Sequence, residues 1–313
     1  MKKIILLMLL LQSWTVFASD AWKAEWPKTD FSKRNVDLTE IISGGPPKDG
    51  IPAIDRPKFQ QAGSIKNIAD KEPVITVNIN GDARSYPIRI LIYHEIVNDT
   101  VGGVPVSITY CPLCNASIVF ERTLNGQVLD FGTTGKLRHS DMVMYDRQSE
   151  SWWQQFTGEG IVGKYTGQTL KQVPSRIESL ALFKDLHPQG KVLVPNNPNA
   201  KPYGSNPYVQ YDSSEWPFLF SGTYTGKVPP LSRVIAVGND AWSLESLIQK
   251  KQIDYNGVVI RWQKGQHSPL DSKKISGGRD IGNVTVQKNG RDVPYHLPFA
   301  FAFLAFNKNG KIH

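Results

Sequence analysis

The chain has 313 residues and a formal net charge of +8 at pH 7. The charged residues are scattered, without a basic stripe interleaved with aromatic residues, and this argues against a nucleic-acid partner. The 26 glycines, 21 prolines and 8 tryptophans are typical of a turn-rich, mostly β protein rather than a helical bundle.

The first residues have the pattern of a signal peptide. Lys2 and Lys3 form a positive start, residues 4–11 form a short apolar stretch, and small residues follow at the positions that a signal peptidase reads. The pattern predicts a signal peptide over residues 1–18 and a periplasmic or secreted mature protein. An uncleaved anchor is the alternative. No later stretch is apolar enough to span a bilayer.

The rest of the chain divides by composition and turn signals. An extended N-terminal arm is predicted over residues 19–73, with a short helix near residues 38–42. A first lobe follows over residues 74–195 and contains the cysteines. A Pro- and Asn-rich connector is predicted over residues 196–231. The remaining residues, 232–313, form a second lobe.

The first lobe has the β-branched runs and glycine-containing turns of a strand-rich unit. A turn is predicted at residues 80–82 and a short helix over residues 88–92. The predicted strands cover residues 74–79, 104–110, 116–121 and 128–132.

The second lobe repeats short sequence patterns of the first lobe in the same order. Residues 81–85 (GDARS) correspond to residues 239–243 (NDAWS), and the strand at residues 106–110 corresponds to residues 258–262. We interpret these repeated patterns as a degenerate internal duplication. The predicted fold class is therefore α+β, predominantly β, with two related lobes. Chance recurrence of common β-turn patterns is the alternative.

The only cysteines, Cys111 and Cys114, form a Cys-Pro-Leu-Cys element between two predicted strands. One interpretation is a metal knuckle, in which a tight turn presents two thiolates and other side chains complete the site. A thioredoxin-like dithiol requires a helix N-terminus at the first cysteine, whereas the following segment has the pattern of a strand. A structural disulfide across so small a loop adds little stability. Asn115 stands where a c-type haem site requires histidine.

A third metal ligand is expected elsewhere in the first lobe, and His94 is the first candidate. Weaker candidates lie on a predicted strand over residues 139–147, where a period of two places two methionines on one face. Thiolate, thioether and imidazole ligands together favour copper(I) over zinc. The weaker candidates are His139, Met142 and Met144, and the predicted supporting residues are Glu95, Asp146 and Arg147.

Three motifs occur together: YHEIVND at residues 93–99, YCPLC at residues 110–114 and MYDR at residues 144–147. In these motifs the chain resembles a family of exported bacterial proteins, domain of unknown function 3179. The resemblance covers about residues 70–195 well and the C-terminal part more loosely. It implies that the HE and CPLC elements are hallmarks of the family, and it implies no activity.

These features predict an exported protein that binds a soft metal, copper rather than zinc, through Cys111, Cys114 and His94. The first alternative is a thiol–disulfide redox protein, in which Cys111 is the nucleophile and a thiol-bearing protein is the partner. The second alternative is a non-enzymatic binding module in which CPLC is a structural disulfide. The sequence leaves open whether the chain is an enzyme.

Overall fold

The computed structural model describes residues 22–313, and the predicted signal peptide lies outside that range. The protein is predominantly β, as predicted, and its sheets are arranged as a five-bladed β-propeller-like ring. The strands are β1 (Ile41–Ser43), β2 (Lys58–Gln61), β3 (Pro73–Ile79), β4 (Asp82–Pro87), β5 (Ile96–Val101), β6 (Val104–Cys111), β7 (Ala116–Glu121), β8 (Thr123–Leu124), β9 (Gln127–Val128), β10 (Phe131–Arg138), β11 (Asp141–Asp146), β12 (Trp152–Gln154), β13 (Glu159–Val162), β14 (Arg176–Ser179), β15 (Lys191–Val194), β16 (Val234–Val237), β17 (Asp240–Ser243), β18 (Gln252–Tyr255), β19 (Val258–Gln263), β20 (Asn283–Lys288), β21 (Arg291–Asp292) and β22 (Lys311–Ile312).

The helices are short. No helix within residues 22–313 is long and apolar enough to cross a membrane. Residues 22–25 are helical, the later α-helices are α1 (Ile88–Leu91), α2 (Leu180–Leu186), α3 (Leu244–Lys250) and α4 (Ala300–Phe306), and 3-10 turns cover Leu38–Glu40, Ala62–Ser64, Tyr211–Ser213 and Ile275–Gly277. The predicted helix near residues 38–42 is one of these 3-10 turns, and it runs directly into β1.

The larger sheets each combine strands that are distant in sequence. Two of them have five strands, in the orders β1-β10-β11-β12-β13 and β14-β3-β4-β15-β2. The smaller sheets have the orders β5-β6-β7, β16-β17-β22 and β18-β19-β20-β21, and β8 and β9 form a separate hairpin. Residues of the predicted N-terminal arm therefore supply an edge strand to both five-stranded sheets, β1 to one and β2 to the other.

The tight turns follow the residues that tolerate a left-handed backbone. Asn80 (φ 52°) and Gly81 (φ 85°) connect β3 to β4, which confirms the turn predicted there. Asn256 (φ 49°) and Gly257 (φ 78°) make the equivalent connection between β18 and β19. Asn-Gly is the favoured pair in two-residue hairpins because both positions require a positive φ.

The two halves of the chain repeat one order of elements. In the first, the β3–β4 hairpin is followed by α1 and the antiparallel strands β5, β6 and β7. In the second, the β16–β17 hairpin is followed by α3 and the antiparallel strands β18, β19 and β20. Each half later adds a helix and a strand that pairs in parallel with its hairpin, β15 with β4 and β22 with β17.

Two predicted strands differ from those observed. The strand predicted over residues 128–132 is divided, because β9 ends at Val128 and β10 begins at Phe131. The strand predicted over residues 139–147 is wrong at its start. His139 (φ 51°) and Ser140 (φ 66°) form the turn of the β10–β11 hairpin, so β11 begins only at Asp141.

Candidate functional site

The CPLC element lies between two antiparallel strands, as predicted. Cys111 is the last residue of β6 and pairs with Ala116, the first residue of β7. Cys114 lies in the turn between them, and both cysteines are free thiols. Asn115 has a left-handed backbone (φ 51°), and its N–H donates to the carbonyl oxygen of Pro112 at 3.2 Å. A strand follows the pair, so the helix N-terminus of a thioredoxin-like site is not present here.

Residues from late in the chain hold this turn in place. The Tyr211 hydroxyl donates to the carbonyl oxygen of Leu113 at 3.0 Å. The Phe299 N–H donates to the carbonyl oxygen of Cys114 at 2.9 Å. The Asn115 side-chain amide donates to the carbonyl oxygen of Leu297 at 2.7 Å. The position of the turn is therefore fixed by segments outside its own sheet.

Asp141 completes a buried cluster with the two cysteines. The two sulfurs and one Asp141 carboxylate oxygen all lie within 4.8 Å of one another. Within residues 22–313 this is the only group of three or more His, Cys, Asp and Glu side chains with such spacing. All three side chains are buried, and Asp141 is fully so. The cluster offers two sulfur atoms and one carboxylate oxygen to a metal ion.

The Asp141 carboxylate is held at one oxygen and unsatisfied at the other. Its Oδ2 accepts from Gln154 Nε2 at 2.7 Å and from the Phe156 N–H at 2.9 Å. Its buried Oδ1 accepts from no N–H or O–H group of the described chain, so the thiols are the donors available to it. Burial raises the pKa of Asp141 to about 7, although its hydrogen bonds oppose the increase.

The hairpin turn before Asp141 is unusual in composition. Both of its central residues have positive φ, yet they are His139 and Ser140 rather than Asn or Gly. The Ser140 hydroxyl donates to the carbonyl oxygen of Phe218 at 2.6 Å, and the Ser140 carbonyl oxygen lies 3.8 Å from the sulfur of Cys111. The turn thus brings β11 and its first carboxylate to the CPLC element.

Glu95 is a second buried carboxylate near the pair. Its backbone is left-handed (φ 58°), its N–H donates to Leu91 at the end of α1, and its carbonyl oxygen accepts from the Tyr110 N–H at 2.8 Å. Its side chain lines a cavity of about 100 Å³ that Cys111 and Met142 also line. Burial raises the pKa of Glu95 to about 8, and the neighbouring Asp141 charge adds to the increase.

The two thiols differ in their access to this cavity. Cys111 lines it, whereas Cys114 does not. Burial raises the pKa of both thiols, that of Cys114 well above its ordinary value. Cys111 is therefore the thiol that a molecule in the cavity would meet.

His94 does not lie with the cysteines, contrary to its predicted role as third ligand. No histidine nitrogen of the described residues lies within 4.8 Å of both sulfurs. Instead, Nδ1 of His94 is 2.8 Å from the carbonyl oxygen of Pro52, and Nε2 is 2.8 Å from the Tyr203 hydroxyl. Its ring also stacks on that of Tyr203. The next residue, Glu95, lines the cavity. Of the two side chains of the HE motif, the carboxylate rather than the imidazole therefore lies at the cavity.

The weaker candidates have different surroundings. Both methionines are buried in the main hydrophobic core, and Met142 also lines the cavity with Cys111. Their shared face confirms the predicted period of two, since the residues that alternate with them pack in a separate cluster. His139 packs between the rings of Phe220 and Phe306, and its Nε2 is 3.6 Å from a Glu40 carboxylate oxygen.

The remaining predicted supporting residues have partners elsewhere. Asp146 accepts from the Trp153 indole at 3.0 Å and from the Ser149 backbone N–H and hydroxyl. Arg147 forms an ion pair with Asp55. The sequence interpretation did not place Asp141 beside the two cysteines. The available signal was a carboxylate at the start of the otherwise apolar DMVMY segment, because a buried carboxylate requires partners.

The model of one protein family matches residues 48–310, and its description reads "Protein of unknown function (DUF3179)". No curated protein and no solved structure matches the chain.

Proposed function

We propose that this chain, which belongs to the DUF3179 family of proteins of unknown function, binds a thiophilic metal ion at Cys111, Cys114 and Asp141. The observation that carries the proposal is the convergence of two sulfurs and one carboxylate within 4.8 Å. The buried Oδ1 of Asp141 supports it, because only the two thiols are available as its donors and a cation bound by the thiolates would take their place as its partner.

The ligand types favour zinc over copper in this proposal. The sequence favoured copper(I) because a thioether and an imidazole were expected beside the thiolates. A carboxylate replaces the imidazole, and zinc accepts cysteine and aspartate ligands together. Two thiolates and a carboxylate carry three negative charges. A divalent ion leaves one of them unbalanced in the buried site, whereas copper(I) leaves two. Met142 is the thioether that copper(I) would recruit.

Metal loading of site variants tests the proposal. The purified chain is reduced, loaded separately with zinc and copper(I), desalted and assayed for bound metal. We expect about one zinc per wild-type chain, none in Cys111→Ser/Cys114→Ser, and an affinity at least about tenfold lower in Asp141→Asn. His94→Gln is the matched control and is expected to bind as the wild type does. Equal and negligible metal in the wild type and the double cysteine variant would overturn the proposal.

A thiol–disulfide reaction is the second candidate, and the position of Cys111 at the cavity favours it. Both cysteine residues are almost inaccessible, with Cys111 at 2 % and Cys114 at 0 % exposure, so a partner protein would need the turn to open. A Cys114→Ala variant that traps a mixed disulfide supports this function. A pair that a mild dithiol does not reduce supports a structural disulfide instead.

We also propose export to the periplasm or the medium, on the basis of the predicted signal peptide. Fractionation of cells that express the full chain tests this, since a cytoplasmic, uncleaved product would contradict it. The repeated order of elements in the two halves supports the further proposal of an internal duplication. In that case the second copy kept the strands and lacks the ligands.

A further inference from the structure

A second cavity, of about 540 Å³, lies in the C-terminal half of the chain. It is partly open and is lined by residues of the segments 212–214, 228–233, 243–248 and 279–281. Its volume falls in the range of ordinary small-molecule sites. None of the proposed metal ligands lines it, so it is separate from the CPLC site.

One wall of this cavity contains a buried arginine with spare hydrogen-bond donors. The side chain of Arg233 is 5 % exposed, and its guanidinium lies over the ring of Phe299. Its Nη2 donates to Asp212 Oδ2 and to the Ser268 hydroxyl, each at 2.8 Å. Its Nη1 makes no hydrogen bond within the described residues, and its Nε also has no acceptor but is enclosed by protein. Buried N–H groups are normally paired, so this guanidinium lacks an acceptor.

The neighbouring carboxylate cannot supply that acceptor. Asp212 already accepts from Ser268 and Arg233 and is 2.9 Å from the guanidinium of Arg279 through each of its oxygens. Arg279 is also paired with Asp271 at 2.8 Å. The two arginines and two aspartates balance in charge, so they leave Nη1 of Arg233 as the donor for an acceptor from outside the protein.

The rest of the lining is mostly apolar, with few free polar groups. The Ser232 hydroxyl has no partner among the described residues and is a further donor at the cavity. Asp280 accepts from two backbone N–H groups and lies 3.7 Å from Lys71, whereas Glu245 is exposed at the rim. These carboxylates disfavour a ligand with several negative charges. The apolar lining is formed by Val228, Pro229, Leu231, Leu244, Ile248 and Ile281.

We propose that this cavity binds a small monocarboxylate with an apolar body. Its carboxylate accepts hydrogen bonds from Nη1 of Arg233 and from the Ser232 hydroxyl, and its apolar part packs on Leu244 and Ile248. Arginine is the side chain best suited to a carboxylate, and a charged acceptor binds it more strongly than a neutral one. The site is independent of the proposed metal centre.

Calorimetric titration of the full chain with acetate, butanoate and octanoate tests the proposal, with octanamide as the uncharged probe. We expect saturable one-to-one binding that strengthens with chain length and is about tenfold weaker or more for octanamide. Arg233→Lys and Ile248→Trp are expected to weaken octanoate binding by at least about tenfold. Arg291→Met removes an exposed positive charge elsewhere and is expected to bind as the wild type does.

Ile248→Trp narrows the cavity and keeps the residues of the buried ion pair, so it remains informative if Arg233→Lys does not fold. Circular dichroism and thermal unfolding establish the folded state of each variant. Absence of saturable octanoate binding would overturn the proposal. Equal affinity for octanamide, or unchanged octanoate affinity in a folded Ile248→Trp variant, would overturn it as well.

Discussion

Replacing Asp141 by asparagine is expected to stabilise the metal-free protein at alkaline pH and to give no such gain in acid. Burial raises the pKa of Asp141 from its ordinary 3.8 to about 7. Between these values the folded chain keeps a proton that the unfolded chain has released, so the free energy of unfolding falls as the pH rises. The asparagine oxygen can still accept from Gln154 and Phe156, and its side chain carries no charge.

The magnitude follows from the size of the pKa shift. A shift of about three units at ~1.4 kcal/mol per unit gives about 4 kcal/mol above pH 7, fading to about zero near pH 4. Urea unfolding near pH 4 and near pH 8, with a chelator and a reductant present, measures the difference. Asp185→Asn replaces an exposed carboxylate in α2 and is the control, for which we expect no pH-dependent change.

A different outcome would refute this reasoning. If Asp141→Asn lowers the free energy of unfolding by the same amount at both pH values, the carboxylate is not held in an environment that favours its protonated form. Added zinc provides a second comparison. It is expected to stabilise the wild type more than the variant, because only the wild type retains all three ligands.

Two further substitutions examine how the site is supported. Gln154→Leu removes the side-chain donor to Asp141 Oδ2, and we expect a loss of about 1–3 kcal/mol in the free energy of unfolding together with weaker metal binding. Unchanged metal affinity would show that the donor does not orient the ligand. Gly135→Ala would place its Cβ 1.9 Å from the Pro46 carbonyl oxygen at a φ of +70°, whereas Gly81→Ala, at +85°, meets no atom within 4 Å. Backbone strain alone costs about 1 kcal/mol, so urea unfolding should show a clearly larger loss for Gly135→Ala, and equal losses would contradict the steric account.

Local patterns in the sequence were sufficient to predict many of the elements. The strands that became β3, β6 and β7 were predicted because their β-branched runs end at turns whose residues are recognisable, such as Asn80-Gly81. The interior of β11 was predicted for the same reason. Pairing between distant strands, such as β15 with β4, was not predictable, since no local pattern encodes it.

The candidate site was only partly predictable because two of its turns lack the usual signatures. The His139-Ser140 turn contains neither asparagine nor glycine. The sequence pattern therefore predicts a continuous strand there and does not place Asp141 beside the cysteines. Likewise, Glu95 has a left-handed backbone and lines the cavity. The His94 ring instead forms hydrogen bonds with Pro52 and Tyr203. Both errors concern backbone conformations that the residue types do not favour.

The late contacts to the CPLC turn impose an order on the biogenesis of this protein. The Asn115 side-chain amide donates a hydrogen bond to Leu297, which is 182 positions further along the chain, and the Phe299 N–H donates one to the carbonyl oxygen of Cys114. Contacts of such long sequence separation form slowly, because a large loop must close before they contribute. During synthesis both thiols therefore emerge long before their cover exists. These two contacts therefore require a nearly complete chain, and a polypeptide that ends before Leu297 would lack both of them.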